Sequence, residues 1–157
     1  MTGLGPRMVT AAATTRISIT IGGTVARVVL THPPLNVLDL PMTRELHQAL
    51  TDIEARPDIS VILFEGDTRA FSAGVDIKAH LPDQILEMLT SFHSVIRAIV
   101  ASRKVTIAAV EGACLGGGAE LAAVCDMVYT TRNAAWGFPE IKPVSYTHLT
   151  LPTIYSV

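Results

Sequence analysis

Several signatures that would fix a chemistry at once are missing from this 157-residue chain. After Gly112 the glycines do not fall as G-x-G-x-x-G, and no Lys-Ser or Lys-Thr pair follows Gly117 or Gly118, which argues against a phosphate-cradling NTPase. There is no G-x-S-x-G elbow. The histidines (His32, His47, His80, His93, His148) have neither H-E-x-x-H nor any other ligand spacing, so they read as surface or packing residues and no metal is expected. Only two cysteines occur, Cys114 and Cys125, with no C-x-x-C pair. They read as reduced small hydrophobes in a cytoplasmic protein. A formal net charge of −2 with 17% charged residues leaves no basic surplus for nucleic acid. The most apolar helical stretch, Ile85 to Ala101, is interrupted by Glu87, His93 and Arg97, so no membrane span is expected.

What remains is an ordinary globular balance, 49% hydrophobic, in a length that suits one domain. Residues 1–16 are rich in Thr and Ala, and no acidic residue precedes Asp39. They read as a disordered leader, with a transit peptide as the alternative and Met8 as an alternative start. Ile17–Ile21 and Val25–Leu30 alternate around Gly22-Gly23 as a β-hairpin would. His32 to Asn36, HPPLN, is a turn. Asp39 can cap a helix to about Ala55 with Met42, Leu46, Leu50 and Ile53 on one face. Strands at Val61–Phe64, Val105–Val110 and Met127–Thr130 then take turns with helices at Asp83–Ser102 and Gly117–Cys125. The pattern predicts an α/β fold. No internal sequence repeat is visible.

Val105 to Glu120, VTIAAVEGACLGGGAE, carries the most chemistry. An apolar strand ends in Gly116, Gly117 and Gly118, which open a helix bearing Glu120. Glycines without Cβ atoms let a ligand approach the main chain, where unpaired helix N-terminal N–H groups stabilise negative charge. On a carbonyl becoming an enolate, such donors form an oxyanion hole, each worth about 3 kcal/mol in mutational precedents. A tight strand-to-helix turn packed on a sheet would need the same glycines. Ser60 to Lys78, SVILFEGDTRAFSAGVDIK, adds a second strand followed by a loop of small residues, the kind of strand-end loop where ligands bind.

Together the two segments resemble the crotonase, or enoyl-CoA hydratase/isomerase, superfamily. The matching residues are Ala70-Phe71-Ser72-Ala73-Gly74-Val75-Asp76-Ile77-Lys78, Gly112 through Ala122, Cys125-Asp126 and Trp136-Gly137-Phe138-Pro139-Glu140-Ile141. The likeness covers Ile17 to Lys142 and implies a spiral of repeated ββα units. It also implies that the N–H groups of Val75 and Gly117 hold the thioester oxygen of an acyl-CoA. Glu120 and Glu140 fill the two catalytic glutamate positions, which favours enoyl-CoA hydration: Glu120 activates water at Cβ and Glu140 exchanges the proton at Cα. Arg69, Ser72, Ala73, Gly74, Asp76, Lys78 and Gly116 are the substrate and coenzyme A positions, with Arg69 and Lys78 near phosphates and the main chain at Ala73 near the adenine. No cofactor is implied beyond the coenzyme A of the substrate.

The same likeness leaves a Δ3,Δ2-enoyl-CoA isomerase and a cyclic dienoyl-CoA hydratase as alternatives, the latter from FSAGVDIKAHLPD and HPPLNVLD. An inactive acyl-CoA-binding fragment is the non-enzyme alternative. Members of the family are expected as homotrimers or dimers of trimers. After Lys142 the chain departs from the family pattern: residues 143–157, PVSYTHLTLPTIYSV, are uncharged and rich in Thr and Pro, and read as a non-native tail on an incomplete core at 17–142.

Overall fold

The computed structural model describes residues 15–76 and 85–138. In chain order these form β1 (Ile17–Gly22), β2 (Val25–Leu30), α1 (Leu40–Glu54), β3 (Val61–Glu65), β4 (Ala70–Ser72), α2 (Ile85–Val100), β5 (Val105–Val110), β6 (Ala113–Leu115), α3 (Gly117–Ala123), β7 (Met127–Thr130) and β8 (Ala135–Gly137). β1 and β2 are the expected antiparallel hairpin, with Ile17 opposite Leu30 and Gly22 opposite Val25. From β2 onward the large sheet is parallel, in the order β1-β2-β3-β5-β7. A second, three-stranded parallel sheet has the order β4-β6-β8.

The chain therefore alternates between sheets. β3, β5 and β7 enter the large sheet and β4, β6 and β8 follow each into the small one, with α2 and α3 as the outer returns. The first turn obeys the same rule in reduced form: after β2, Leu38 makes a parallel bridge to Val75 before α1 begins. Hence a structural repeat exists although no sequence repeat does, because each unit needs only apolar alternation and a return helix, not particular residues.

Apolar spacing decides which faces are buried. One face of the large sheet presents Ala26, Val28, Leu30, Ile62, Phe64, Ala108 and Val110, all buried. α1 adds Met42, Leu46, Ala49, Leu50 and Ile53 at helical spacing, and α2 adds Met88, Phe92, Val95 and Ile99. Asp39 caps α1 as expected, its Oδ1 accepting from Met42 N at 3.0 Å. A pair of hydroxyls, Thr43 Oγ1 and Ser91 Oγ at 2.7 Å, joins α1 to α2. None of the helices is long and apolar enough to cross a membrane, among the described residues.

The structure adds β4, inside the loop of small residues expected after β3, and β6 and β8, where the periodicity predicts no element. Each has three residues, too few for an alternating pattern to register, and each lies beside glycines that score as turn signals. The start of the second helix before Ile85, the leader through residue 14 and the tail from 139 lie outside the described residues.

One clasp ties α3's exit to the sheet. Asp126 Oδ2 accepts from Thr106 N at 2.8 Å and from Thr106 Oγ1 at 2.9 Å, while Thr106 Oγ1 accepts from Asp126 N at 3.0 Å. The Thr106 backbone N–H, then its hydroxyl, hold the Asp126 carboxyl below the ordinary aspartate value. A lowered folded-state pKa contributes stability above the unfolded value and loses it as pH falls through the folded one. Asp126→Asn should therefore lower Tm near pH 6, and the gap to wild type should narrow as pH drops toward 3. Thermal melts across that range check this; a gap constant with pH would contradict it.

Candidate active site

β4 and β6 are parallel neighbours, so the segments leaving their C-terminal ends emerge on one side. Ala73-Gly74-Val75 follows β4, and Gly116-Gly117 follows β6. Gly74 (φ +100°) and Gly116 (φ +49°) both occupy the left-handed region that L side chains rarely adopt, which bends each strand sharply at its exit. The two backbones then meet. A Cβ placed on Gly74 would lie 2.9 Å from Leu115 O and 3.3 Å from Gly117 N, and one placed on Gly117 would lie 2.6 Å from Val75 Cγ2 and 3.4 Å from Val75 N. Only glycine lets these chains approach so closely.

The orientation of the Val75 amide follows from the Leu38 bridge. That bridge uses Gly74 O, accepting from Leu38 N at 2.9 Å, and Asp76 N, donating to Leu38 O at 3.2 Å. In a parallel pair the residue between those two groups turns its own N–H away from the partner strand. The Val75 N–H thus faces away from Leu38, on the side where Gly117 lies. Gly117 is the first residue of α3, whose opening N–H groups have no intrahelical acceptor. No backbone acceptor is found for either N–H among the described residues. Beneath the crossing sits the buried ring of Phe92 from α2, 3.3 Å from where a Gly117 Cβ would stand.

Glu120 lies one turn into α3, exposed to solvent, with its N–H donating to Gly116 O at 3.0 Å. Of the residues expected at the coenzyme A end, Arg69 is exposed, Ala73 and Asp76 are half-buried, and Gly74 and Gly116 form the crossing itself. Ser72 is fully buried; its hydroxyl donates to Asn36 O at 2.7 Å and accepts from Gly74 N at 3.1 Å. Its side chain thus braces the loop from within. Lys78 and Glu140 lie outside the described residues. Sequence reading passed over Asn36, taken as part of a turn; an Asn at φ +51° with 1% exposure is the signal that structure adds.

Burial pushes both thiols, Cys114 and Cys125, up to about 12, and Asp126 adds to the rise at Cys125. They are free and buried. No cluster of three or more His, Cys, Asp or Glu side chains suited to a metal occurs among the described residues. Two clefts lie at opposite ends of the large sheet, of about 490 Å³ beside Glu65 and Tyr129 and about 390 Å³ beside Arg56 and Arg103. Neither contains Val75, Gly117 or Glu120.

Alternating ββα turns with two glycine-bent strand exits define an α/β scaffold of two largely parallel-stranded layers, and comparison with known proteins makes the class specific. Residues 20–150 match the family described as Enoyl-CoA hydratase/isomerase, and the chain belongs to that family. It is 33% identical over 120 residues to the cyclohexa-1,5-dienecarbonyl-CoA hydratase of Thauera aromatica, covering 76% of this chain and 46% of that protein. It is 39% identical over 109 residues to a probable enoyl-CoA hydratase of Mycobacterium bovis, covering 69% of this chain and 42% of that one. The crystal structure of an enoyl-CoA hydratase/carnithine racemase from Magnetospirillum magneticum superposes with a TM-score of 0.78 at 31% identity, over 85% of this chain and 52% of that chain. The chain spans about half the length of the relatives it matches. The crotonase-type fold expected from sequence is thereby established.

Two measurements test the packing. In an ordinary helix Gly→Ala gains about 0.5–1 kcal/mol. A Cβ on Gly118, however, would stand 2.6 Å from Ser72 O and 2.7 Å from Ser72 Cβ. Gly118→Ala should instead destabilise by about 1–3 kcal/mol, as overpacking does, which a urea midpoint would show. Both cysteines should also resist iodoacetamide at pH 8 in the folded protein and react once it is unfolded; rapid alkylation of the native chain would contradict their burial.

Proposed function

We propose that the protein is an enoyl-CoA hydratase, adding water across the Cα=Cβ bond of an unsaturated acyl-CoA. The observation that supports this reading is the close approach of the Val75 and Gly117 backbones; in this reading their two N–H groups are the donors that hold the thioester oxygen. As the water oxygen bonds to Cβ, the π electrons move toward the thioester carbonyl and its oxygen gains charge. Two fixed donors stabilise that charge more than they stabilise the neutral carbonyl, which is what lowers the barrier. Glu120 takes the proton from water, Glu140 supplies one at Cα, and the enolate collapses to the 3-hydroxyacyl-CoA with no change of oxidation state and no cofactor.

In this reading Arg69 and Lys78 meet the coenzyme A phosphates, the main chain at Ala73 meets the adenine, and Gly74, Asp76 and Gly116 shape the approach. The enzyme works in the cytoplasm as a homotrimer or dimer of trimers. The likeness to the Thauera aromatica hydratase keeps a cyclic dienoyl-CoA as the alternative substrate. A Δ3,Δ2-isomerase is the alternative reaction, since it needs one base and no water.

The test is turnover of crotonyl-CoA in H₂¹⁸O by the protein expressed from its complete gene. Label in the 3-hydroxyl is expected, and Glu120→Gln should lower kcat by about 10²–10⁴-fold, the usual range for a lost acid–base group, with KM little changed. Double-bond migration without label would make the enzyme an isomerase. An unchanged kcat in Glu120→Gln would overturn the assignment of that residue.

A further inference from the structure

We propose that Asn36 is a positioning residue that sets the place of the Val75 N–H, acting through Ser72 and Gly74 without touching substrate. The inference rests on the reading of Val75 as an oxyanion donor.

The geometry is a strut. Asn36 is 1% exposed and holds φ +51°, a conformation that non-glycine residues adopt at a cost and that Asn tolerates better than most. Every polar group of the residue is used. Its N–H donates to His32 O at 2.8 Å and its Oδ1 accepts from His32 N at 2.9 Å, which closes the turn on itself. Its Nδ2 donates to Ala70 O at 2.9 Å and Phe71 O at 3.3 Å, fastening the turn to β4. Its carbonyl accepts from Ser72 Oγ at 2.7 Å, and that hydroxyl in turn accepts from Gly74 N at 3.1 Å.

A rigid turn is thus connected by buried hydrogen bonds to the peptide that precedes Val75. Two neighbouring bonds join the same segments: Ala73 N donates to Leu35 O at 2.9 Å, and Leu38 N donates to Gly74 O at 2.9 Å. Gly74, at φ +100°, has no side chain to fix its own conformation. The Leu38 bridge orients the Val75 amide, and the Ser72 bond fixes the preceding peptide through the Gly74 N–H, so the two together set where the Val75 N–H stands. An oxyanion donor works only when held where charge will develop, and misplacement by about 1 Å can cost 10²-fold.

The experiment uses Asn36→Gly, which keeps the left-handed backbone but deletes the side chain, and Ser72→Ala, which cuts the second link and leaves Asn36 intact. Amide hydrogen exchange reads the strut directly. In Asn36→Gly the Gly74 and Leu38 amides should exchange at least about 10-fold faster while core amides of α1 such as Leu50 keep their protection, the pattern of local and not global opening. In crotonyl-CoA hydration both variants should lose about 10- to 100-fold in kcat, with KM within about threefold. The double variant should lose less than the product of the two single losses, because both interrupt one chain of bonds.

A merely structural role would lower protection throughout the core and leave kcat per folded molecule unchanged, and either result overturns the proposal. Exchange needs no turnover, so the two readings separate. If Gly74 and Leu38 lose protection but the wild type hydrates no enoyl-CoA, the strut stands and the hydratase reading falls. If the wild type is active and both variants match it, the strut falls and the hydratase reading stands.

Discussion

Two segments meet at Gly74 and Gly117 so closely that a Cβ on Gly74 would stand 2.9 Å from Leu115 O and one on Gly117 2.6 Å from Val75 Cγ2, and the surrounding elements are arranged about that approach. Parallel pairing of β4 with β6 brings the strand exits side by side, and left-handed glycines turn them toward each other. Packing from below fixes the height: Phe92 of α2 stands under Gly117, and Ser72 presses against Gly118. A crossing made of backbone has a chemical advantage over one made of side chains. Peptide N–H groups do not titrate and have few rotational states, so their alignment is set by the sheets and costs little reorganisation when charge appears.

Much of this was legible before any coordinates. The hairpin, the Asp39 cap, the buried stripe of α1 and the parallel core strands all follow from spacing, because each repeats a period several times within one element. The glycine segment after β5 announced a place where backbone meets ligand, and its neighbours carried the family likeness. What sequence could not show was contact between distant segments. Nothing in HPPLN says that Asn36 reaches Ala70 and Phe71, 34 and 35 positions away. Nothing in AFS or ACL says strand, since three residues cannot display a period. Ser72 reads as a small residue near a ligand until its hydroxyl is seen joined to two backbone groups inside the protein.

The acids divide by what their oxygens face. Asp39 caps α1, Asp67 accepts from Arg69 N and Ala70 N at the entry to β4, and Asp126 clasps Thr106. Glu54 receives the Arg103 guanidinium and the Ser102 hydroxyl, and the Arg103 contact leads in holding its carboxyl below the ordinary glutamate value. The lowered carboxyls of Glu54 and Asp126 are poor proton acceptors near neutral pH, since a good general base has a pKa near the working pH. These four serve the fold. They order strand and helix ends, where unpaired N–H groups collect.

Glu120 stands in a different setting, exposed on the first turn of α3 and a single helical turn from the Gly117 N–H. The same helix end favours a carboxylate electrostatically by about 0.3–1 kcal/mol, so its position is explicable without any catalysis. What distinguishes the two accounts is the crossing beside it. A stabilising acid needs only the helix dipole, whereas the Asn36 backbone at φ +51° carries a conformational cost that its buried hydrogen bonds offset. Such features persist where surrounding structure holds them for a purpose. The strut ends on the Gly74 N–H, next to the Val75 peptide, at the C-terminal ends of β4 and β6.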